Sequence, residues 1–207
     1  REDVVAAAQR FRAEGVEAVA ISFLHAYANP RHEIEAEEIL RAELGDGVYI
    51  CRGSEILPEI REYERTSTVV VNAYIGPVVR NYASALTARL ASIGVGCQVE
   101  MMHSGGGIMR LGSAVKRAAS LVESGPAAGV IACARLVSGS DEPSIISFDM
   151  GGTTAKAALI EHGEPARTTE YEVGAGINLS SKLVKGGGYP IKMPFIDVSE
   201  IGAGGGS

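Results

Sequence analysis

The first fifty residues alternate between helical and strand-like spacing of their apolar positions. Val4, Ala8 and Phe11 recur at helical spacing, which predicts an amphipathic helix. The predicted elements are a helix that ends at Gly15, a buried strand over 17–27, a helix from Asn29-Pro30 to about Leu44 and a strand over 48–51. This order of helices and strands is typical of an α/β layer with a largely parallel sheet.

Residues 58–93 carry a continuous helical pattern of apolar positions. Pro77 follows Gly76 inside this pattern. Because a proline removes a backbone donor and clashes with the preceding turn, we expect two helices or one bent helix here. Residues 97–103 then predict a strand that leads into a glycine-rich turn, and a helix of small residues is expected from Gly125 onward.

Two short strands enclose a pair of glycines further along the chain. Residues 144–148 and 155–160 predict buried strands, and Gly151 and Gly152 lie at the bend between them. The predicted structure is a hairpin with Asp149 at the end of its first strand. A polar, β-rich tract is expected to follow it.

This hairpin contains the residue types that bind phosphate. Glycine has no Cβ to keep an oxyanion away, so the N–H groups of Gly151 and Gly152 and the hydroxyls of Thr153 and Thr154 can point at a phosphate. Asp149 can hold a magnesium ion or its water ligands. An ordinary tight turn is the alternative, because glycine pairs are common in hairpins.

Other polar residues near glycines each allow two interpretations. His103 could contact a ligand or serve as a structural hydrogen-bonding group. Glu123 precedes a helix start that could face an anion or could simply be capped. Asp197 and Glu200 could be metal ligands or ordinary loop carboxylates. The glycine-, serine- and lysine-rich stretch 174–188 predicts a loop that is mobile or covers a ligand.

The composition argues against several classes of protein. Of 207 residues, 46% are hydrophobic and 21% charged, so the chain is long enough to bury a core and is not disordered. A net charge of -6 without a basic cluster argues against nucleic acid or an anionic membrane as partner, and no stretch is apolar enough to span a bilayer. Three scattered cysteines without metal-ligand spacing indicate reduced thiols and a cytoplasmic location.

Five segments in a fixed order carry a resemblance to a known family. They are LPEIREYERTSTVVVNAYIGP (57–77), MMHSGGGIM (101–109), ESGPAAGV (123–130), FDMGGTTAKAALI (148–160) and DVSEIGAGGGS (197–207). In these segments the chain resembles the hydantoinase A and 5-oxoprolinase family, and the likeness covers nearly its whole length. The family also includes subunits of ATP-dependent acetone and acetophenone carboxylases.

The resemblance implies an α/β fold of the actin-like ATPase (ribonuclease H-like) type, here incomplete, with a helical segment between the parts of the sheet. Residues 1–70 would be the C-terminal part of the family's N-terminal domain, and residues 71–207 the N-terminal part of its catalytic-type domain. Such proteins bind the phosphates of a nucleotide with two hairpins of similar sequence. The hairpin at Asp149 resembles the second. Because no counterpart precedes it and the chain starts at Arg1 inside a predicted helix, we expect a longer protein.

The implied chemistry is ATP-dependent opening of a cyclic amide, of the hydantoin or 5-oxoproline type, through phosphorylation of its carbonyl oxygen. The resemblance implies ATP and Mg2+ as cofactors, allows a further divalent metal in the intact complex, and implies a subunit or domain of the hydantoinase B type as partner. Asp149 is the expected catalytic and metal-binding residue. The expected nucleotide-binding residues are Gly151, Gly152, Thr153, Thr154, Ser104, Gly105 and Gly106.

Two positions depart from the family pattern. Lys156 stands where an aspartate is common, and it is expected to face solvent rather than to reach a phosphate. Gly105 stands where asparagine is usual. These departures keep three alternatives open: a ketone carboxylase subunit of the same family, a sugar-kinase-like phosphotransferase that acts without a partner, and a non-catalytic scaffold subunit that binds no nucleotide.

Overall fold

The computed structural model describes residues 1–140, 144–174 and 188–206. The chain divides into two compact units. The first contains residues 1–99 and 110–119, and the second contains residues 100–109 and the chain from Ser120 onward. Within the described residues, no helix combines the length and the apolar character needed to cross a lipid bilayer.

The first unit contains a pair of parallel strands among helices. Its elements are α1 (Glu2–Ala13), β1 (Ala18–Ile21), α2 (Arg31–Leu44), β2 (Tyr49–Arg52), α3 (Gly53–Ile56), α4 (Glu62–Ser92) and α5 (Leu111–Lys116). The strands β1 and β2 pair in parallel, with Ala18 opposite Tyr49 and Ile21 opposite Arg52. The predicted alternation of helix and strand and the parallel pairing are therefore confirmed.

The core of the first unit joins α1 and α2 to these two strands. Its buried residues are Ala8, Val19, Ile21, Ala36, Leu40 and Ile50. The helix α2 is present but begins at Arg31 with Pro30 at its N-cap position, one residue later than predicted, and the side-chain oxygen of Asn29 accepts a hydrogen bond from the N–H of Arg31 at 3.2 Å. The first strand is shorter than the predicted 17–27. It ends at Ile21 because residues 24–28 form turns in which His25 has a φ of 57°, which no extended strand allows.

The long helix α4 runs without interruption from Glu62 to Ser92, so of the two outcomes expected at Pro77 the division into two helices does not occur. The buried positions of this helix are mostly small or polar: Arg65, Thr68, Val69, Asn72, Ala73, Gly76 and Ala83. An added Cβ at Gly76 would lie 2.3 Å from the ring of Tyr49, so glycine allows the helix to approach β2 closely. The Asn72 amide group also donates to the Tyr49 hydroxyl at 3.1 Å. These contacts flank Pro77 on its N-terminal side and offset the one backbone donor that it lacks.

The second unit combines one longer helix with several strands. Its elements are β3 (Glu100–Met102), β4 (Ile108–Arg110), α6 (Ser124–Leu136), β5 (Ser144–Met150), β6 (Ala155–Glu161), β7 (Glu164–Pro165), β8 (Arg167–Val173), β9 (Tyr189–Ile196) and β10 (Ser199–Ile201), with a 3-10 helix at Ala118–Leu121 before α6. The predicted small-residue helix is α6, and the predicted β-rich tract is β7 and β8. The loop predicted over 174–188 lies outside the described residues except at its two ends.

The central sheet of this unit has the antiparallel strand order β10-β6-β5. The helix α6 packs on one face of it, and the shared core consists of Ala127, Val130, Ala134, Ala158, Ile160, Ile196 and Val198. On the other face Ile146, Phe148 and Met150 are exposed, and Ser147 is the one residue of β5 that is buried, so the prediction that this strand is buried is wrong for most of its residues. Successive side chains alternate between the two faces of a strand, and α6 covers only one of them.

Candidate functional site

The hairpin predicted at Asp149 is present and consists of β5 and β6. The two strands stay paired up to Met150, which lies opposite Ala155, so residues 151–154 form the turn. The amide of Gly151 donates to the carbonyl of Thr154 at 2.9 Å and closes this turn. The predicted hairpin is therefore confirmed, and its turn projects from one end of the central sheet. Because the Gly151 amide is used within the turn, its expected role as a phosphate donor stays a prediction.

A second stretch of glycines lies directly against this turn. We call residues 202–206, which follow β10, the backing segment. The amide of Gly205 donates to the carbonyl of Gly151 at 3.0 Å, and the amide of Gly206 donates to the carbonyl of Gly152 at 2.8 Å. The two carbonyl groups at the start of the turn therefore have protein partners.

The backing segment approaches the turn so closely that a side chain cannot fit between them. An added Cβ at Gly204 would lie 2.5 Å from the main-chain nitrogen of Thr153 and 2.5 Å from its carbonyl carbon. Real Cβ atoms do not come this close to a backbone, so any other residue at 204 would have to displace the turn or the segment. Because residue 204 is glycine, the main chain of the backing segment packs directly against the main chain of the turn at Thr153.

The amides on the tip of the turn have no such partner. Among the described residues, no acceptor takes the N–H groups of Gly152, Thr153 or Thr154. An added Cβ at Gly152 would meet no atom within 4 Å, and neither Gly151 nor Gly152 has a positive φ. Neither the backbone conformation nor neighbouring atoms require glycine at 152. Spare amides next to open space are the arrangement that a phosphate group needs.

Asp149 lies beside this turn, near the end of β5, and is exposed. Its carboxylate forms no hydrogen bond or ion pair with another described residue. No group of three His, Cys, Asp or Glu side chains that could hold a metal occurs among the described residues. Magnesium does not require such a group, because proteins commonly hold it through one or two carboxylates while phosphate oxygens and water complete the octahedron.

The glycine-rich turn between β3 and β4 is built differently. Ser104 is only 1% exposed, and both its amide and its hydroxyl donate to the carbonyl of Ser120 at 2.8 Å. The carbonyl of Ser104 accepts from the amide of Ile196 at 2.7 Å. The polar groups of Ser104 are thus taken up by contacts within the protein.

The glycines of the same turn also use their own donors. The amide of Gly105 donates to Nδ1 of His103 at 3.1 Å, and the amide of Gly106 donates to the carbonyl of His103 at 2.9 Å. Gly106 has a φ of 83°, which a residue with a side chain adopts only under strain. Nucleotide binding by Ser104, Gly105 and Gly106 stays a prediction, and in this structure their amides stabilise the turn.

His103 is a hydrogen-bonding group of that turn. Because its Nδ1 accepts the Gly105 amide, the neutral imidazole carries its proton on Nε2. Burial lowers the pKa of His103, and the positive charge of Arg167 lowers it further. Of the two interpretations of His103, these contacts favour the structural one.

Lys156 does not face solvent, contrary to the expectation. Its Nζ lies 2.6 Å from a carboxylate oxygen of Glu123 and 3.4 Å from one of Glu200, and its side chain is 16% exposed. Burial alone would lower the pKa of Lys156, but the hydrogen bond to Glu123 and the charges of both carboxylates outweigh burial and raise it. Because its pKa is raised, Lys156 stays protonated and carries a positive charge next to the turn.

Tyr171 completes this network and has no local signal in the sequence. Burial raises its pKa strongly, and the negative charges of Glu123 and Glu200 add to the effect. Its side chain also hydrogen-bonds Glu123. Glu123 is the N-cap residue of α6 with a φ of 62°, and its side chain forms no capping hydrogen bond, so the capping interpretation is wrong. Glu200 lies in the strand β10 and pairs with Lys156, so its interpretation as a loop carboxylate is wrong, and its role as a metal ligand stays a prediction.

Comparison with known proteins places the chain in a family. The model of the hydantoinase/oxoprolinase family matches residues 65–207, and the model of the hydantoinase/oxoprolinase N-terminal region matches residues 1–44. The first match alone covers more than half of the chain. The chain belongs to the hydantoinase/oxoprolinase family. The resemblance carried by the five sequence segments is thereby confirmed.

The curated relatives of this member of the hydantoinase/oxoprolinase family carry several different names. The chain is 45% identical over 206 residues to an uncharacterized protein of Methanocaldococcus jannaschii, and the match covers 100% of this chain and 30% of that protein. It is 37% identical over 204 residues to the caprolactamase subunit alpha of Pseudomonas jessenii, covering 98% of this chain and 27% of that subunit. It is 29% identical to 5-oxoprolinase 1 of Arabidopsis thaliana, covering 94% of this chain and 14% of that protein. The chain thus spans less than a third of the length of these relatives.

Two solved structures share the fold. A nucleotide-free structure of acetone carboxylase, from a study of ATP-dependent acetone carboxylation, matches with a TM-score of 0.79 and 25% identity over 99% of this chain and 27% of its own. The ATP-dependent caprolactamase of Pseudomonas jessenii matches with a TM-score of 0.75 and 36% identity over 99% of this chain and 28% of its own. The predicted actin-like ATPase type of fold is thereby confirmed.

Proposed function

We propose that the chain contributes the phosphate-binding hairpin of an ATP-dependent enzyme that opens a cyclic amide of the hydantoin or 5-oxoproline type. The observation that carries the proposal is the turn at 151–154, where the amides of Gly152, Thr153 and Thr154 have no acceptor among the described residues. Relatives named caprolactamase and 5-oxoprolinase support the substrate class, because caprolactam and 5-oxoproline are both cyclic amides.

Each residue of the turn has a role in this proposal. The amides of Gly152 and Thr153 donate to phosphate oxygens, and the hydroxyls of Thr153 and Thr154 can add further donors. The backing segment fixes the turn before the nucleotide arrives, so little ordering is needed at the moment of binding. Asp149 holds magnesium or its water ligands. Bound Mg·ATP would supply the phosphoryl group that turns an amide oxygen into a good leaving group.

The proposal extends to the organisation of the complete natural protein. We assign residues 1–70 to the end of the family's N-terminal domain and residues 71–207 to the start of its catalytic-type domain. A partner subunit or domain of the hydantoinase B type is part of the same proposal, and the subunit names of the relatives support it. A cytoplasmic location is consistent with Cys51, Cys97 and Cys133, which are all free thiols.

The test is the substitution Asp149→Ala in the complete natural protein. We expect a loss of lactam-dependent ADP release of about a hundredfold or more in kcat/KM, because each tenfold loss corresponds to about 1.4 kcal/mol of transition-state stabilisation. Asp3→Ala is the matched control, since Asp3 is an exposed aspartate of α1 in the other unit. Turnover that survives Asp149→Ala would overturn the assignment of this residue.

A ketone carboxylase subunit is the second candidate, and the fold match with acetone carboxylase at a TM-score of 0.79 favours it. The two candidates differ in the compound that stimulates ADP release from Mg·ATP. A cyclic amide alone should stimulate release from a lactam-opening enzyme. A carboxylase should require a ketone together with bicarbonate. Measurement of ADP with each addition separately distinguishes the two.

A further inference from the structure

Lys156 occupies the centre of a row of charged residues that crosses the central sheet. It lies opposite Asp149 of β5 on one side and opposite Glu200 of β10 on the other. Residues opposite each other on neighbouring strands point to the same face, with Cβ atoms about 4.5–5.5 Å apart. Two carboxylates therefore flank one ammonium group on the face that α6 covers, next to the turn at 151–154.

The ammonium group forms its ion pairs with Glu123 and Glu200 and not with Asp149. It lies 2.6 Å from Glu123 and 3.4 Å from Glu200, whereas Asp149 has no ion pair among the described residues. The side chains of Glu123, Lys156 and Glu200 are 21%, 16% and 13% exposed, so water screens their charges only in part. The row and Glu123 together hold three carboxylates and one ammonium group.

We propose that Lys156 is a positioning residue that acts as a fixed counter-ion for Glu123 and Glu200, so that the anionic phosphates of a nucleotide can bind at the neighbouring turn. The inference rests on the proposed nucleotide site. Without the ammonium group, the negative charges of Glu123 and Glu200 would add to the charge of Asp149 and repel a polyphosphate. Because Glu123 and Glu200 hold the ammonium, Asp149 keeps its own charge for the metal.

A mechanical role is the competing explanation of the same contacts. Glu200 belongs to β10, which leads into the backing segment, and Glu123 precedes α6. Lys156 could thus act only as a tether between these elements and β6. The two explanations differ in the effect of Glu200→Gln. Loss of a tether should weaken nucleotide binding, whereas loss of one carboxylate should leave it unchanged or strengthen it.

The experiment is calorimetric titration of the complete natural protein with Mg·ATP. The variants are Lys156→Met, Glu200→Gln and the two combined. Lys156→Met should raise Kd about fivefold to tenfold, as expected for one partly screened charge several ångströms from a polyphosphate. The double variant restores the net charge of the row and should return Kd to within about twofold of the wild type. Lys116→Met is the matched control, because Lys116 also faces a glutamate, Glu55 at 3.9 Å, but is 72% exposed and lies in the other unit.

Salt provides a second measurement that a tether would not change. The Kd ratio of Lys156→Met to wild type should shrink as ionic strength rises from about 0.05 M to about 0.5 M, because added ions shorten the Debye length. Circular dichroism identifies variants that do not fold. If Lys156→Met is unfolded, Glu200→Gln alone decides, since weaker binding in that variant would overturn the counter-ion role.

The outcomes separate this inference from the function on which it rests. No binding of Mg·ATP by the wild type would overturn both. Binding by the wild type with an unchanged Kd in Lys156→Met would overturn only the counter-ion role. A weakened Lys156→Met that Glu200→Gln does not restore would also overturn it, in favour of the tether. Weakening that is restored by Glu200→Gln and diminished by salt supports it.

Discussion

The two glycine-rich turns of the second unit are alike in sequence and opposite in their use of hydrogen-bond donors. The turn at 103–107 gives the amides of Ser104, Gly105 and Gly106 to acceptors within the protein. The turn at 151–154 leaves three consecutive amides without an acceptor among the described residues. Both turns follow a strand.

The difference shows why glycine content alone does not identify a ligand site. In the turn at 103–107 glycine serves the fold, because Gly106 has a positive φ and its space is limited by the side chain of Ile131. At Gly152 an added Cβ would meet nothing within 4 Å, so the protein itself does not require glycine there. The count of unused donors and the space around each glycine separate a structural turn from a binding turn.

Among the substitutions that test this comparison, Gly204→Ala should have the largest effect on stability and on Mg·ATP binding, because it removes the support of the turn at 151–154. The new Cβ would lie 2.5 Å from the main chain of Thr153. We expect a loss of about 1–3 kcal/mol in the free energy of unfolding, as for other overpacked sites. Binding of Mg·ATP should weaken about tenfold or more, since the amides lose their fixed orientation.

The control for this substitution is Gly202→Ala. Gly202 belongs to the same segment, but an added Cβ there meets nothing within 4 Å. Calorimetric Kd values and denaturant unfolding curves are the measurements. Equal behaviour of the two variants would mean that the backing segment does not support the turn.

Alanine at one glycine of each turn tests the comparison directly. Gly152→Ala should leave the free energy of unfolding within about 0.5 kcal/mol of the wild type. It should still raise the Kd for Mg·ATP about tenfold, because the methyl group enters the space for the phosphate. Gly106→Ala should cost about 1–3 kcal/mol of stability, because alanine is strained at a φ of 83° and its Cβ would lie 2.8 Å from Ile131.

The two variants should therefore separate binding from stability. Gly106→Ala should keep its affinity for Mg·ATP at temperatures where it is folded. A Gly106→Ala protein that is stable but no longer binds would place the turn at 103–107 in the nucleotide site. That result would reverse the distinction between the two turns.

The smallest predicted effect is the pH dependence of stability at His103. Its pKa is lowered from 6.5 by burial and by Arg167, so the folded protein binds fewer protons at this site than the unfolded chain does. The stability contributed by the neutral ring is present above pH 6.5 and is lost as the pH falls below 6.5 toward the lowered pKa.

Substitution of His103 checks this sign. His103→Asn keeps an acceptor for the Gly105 amide and should flatten the fall in unfolding free energy below pH 6.5. His32→Asn is the control at an exposed histidine and should leave the slope unchanged. If the unfolding free energy of His103→Asn still falls as steeply below pH 6.5, groups other than His103 cause the pH dependence.

Local patterns were sufficient to predict the elements that carry strong signals. Spacing and turn residues predict the helix α2, the small-residue helix α6 and the hairpin of β5 and β6. Of the two outcomes expected at Pro77, the break into two helices was wrong, and the reason lies in tertiary contacts. Pro77 lies inside α4 because its neighbours pack on β2 through Tyr49, which the helical pattern could not show.

The candidate site was predictable in part for the same reason. Asp149 and residues 151–154 are contiguous, so the sequence alone indicates a turn with glycines, hydroxyls and a carboxylate. The partners of Lys156 were not predictable. Glu123 and Glu200 are distant from Lys156 in the chain, and only the register of β10 on β6 and the position of α6 bring them together.

The sequence by itself determined the family and the residue types of the phosphate hairpin, because both depend on short contiguous segments. Only the tertiary structure decided which glycine turn keeps its donors free and which carboxylates neutralise Lys156. The physical reason is that a hydrogen bond or an ion pair depends on distances in space between distant parts of the chain. A backbone amide looks the same in any sequence, and the acceptor that it meets exists only after folding.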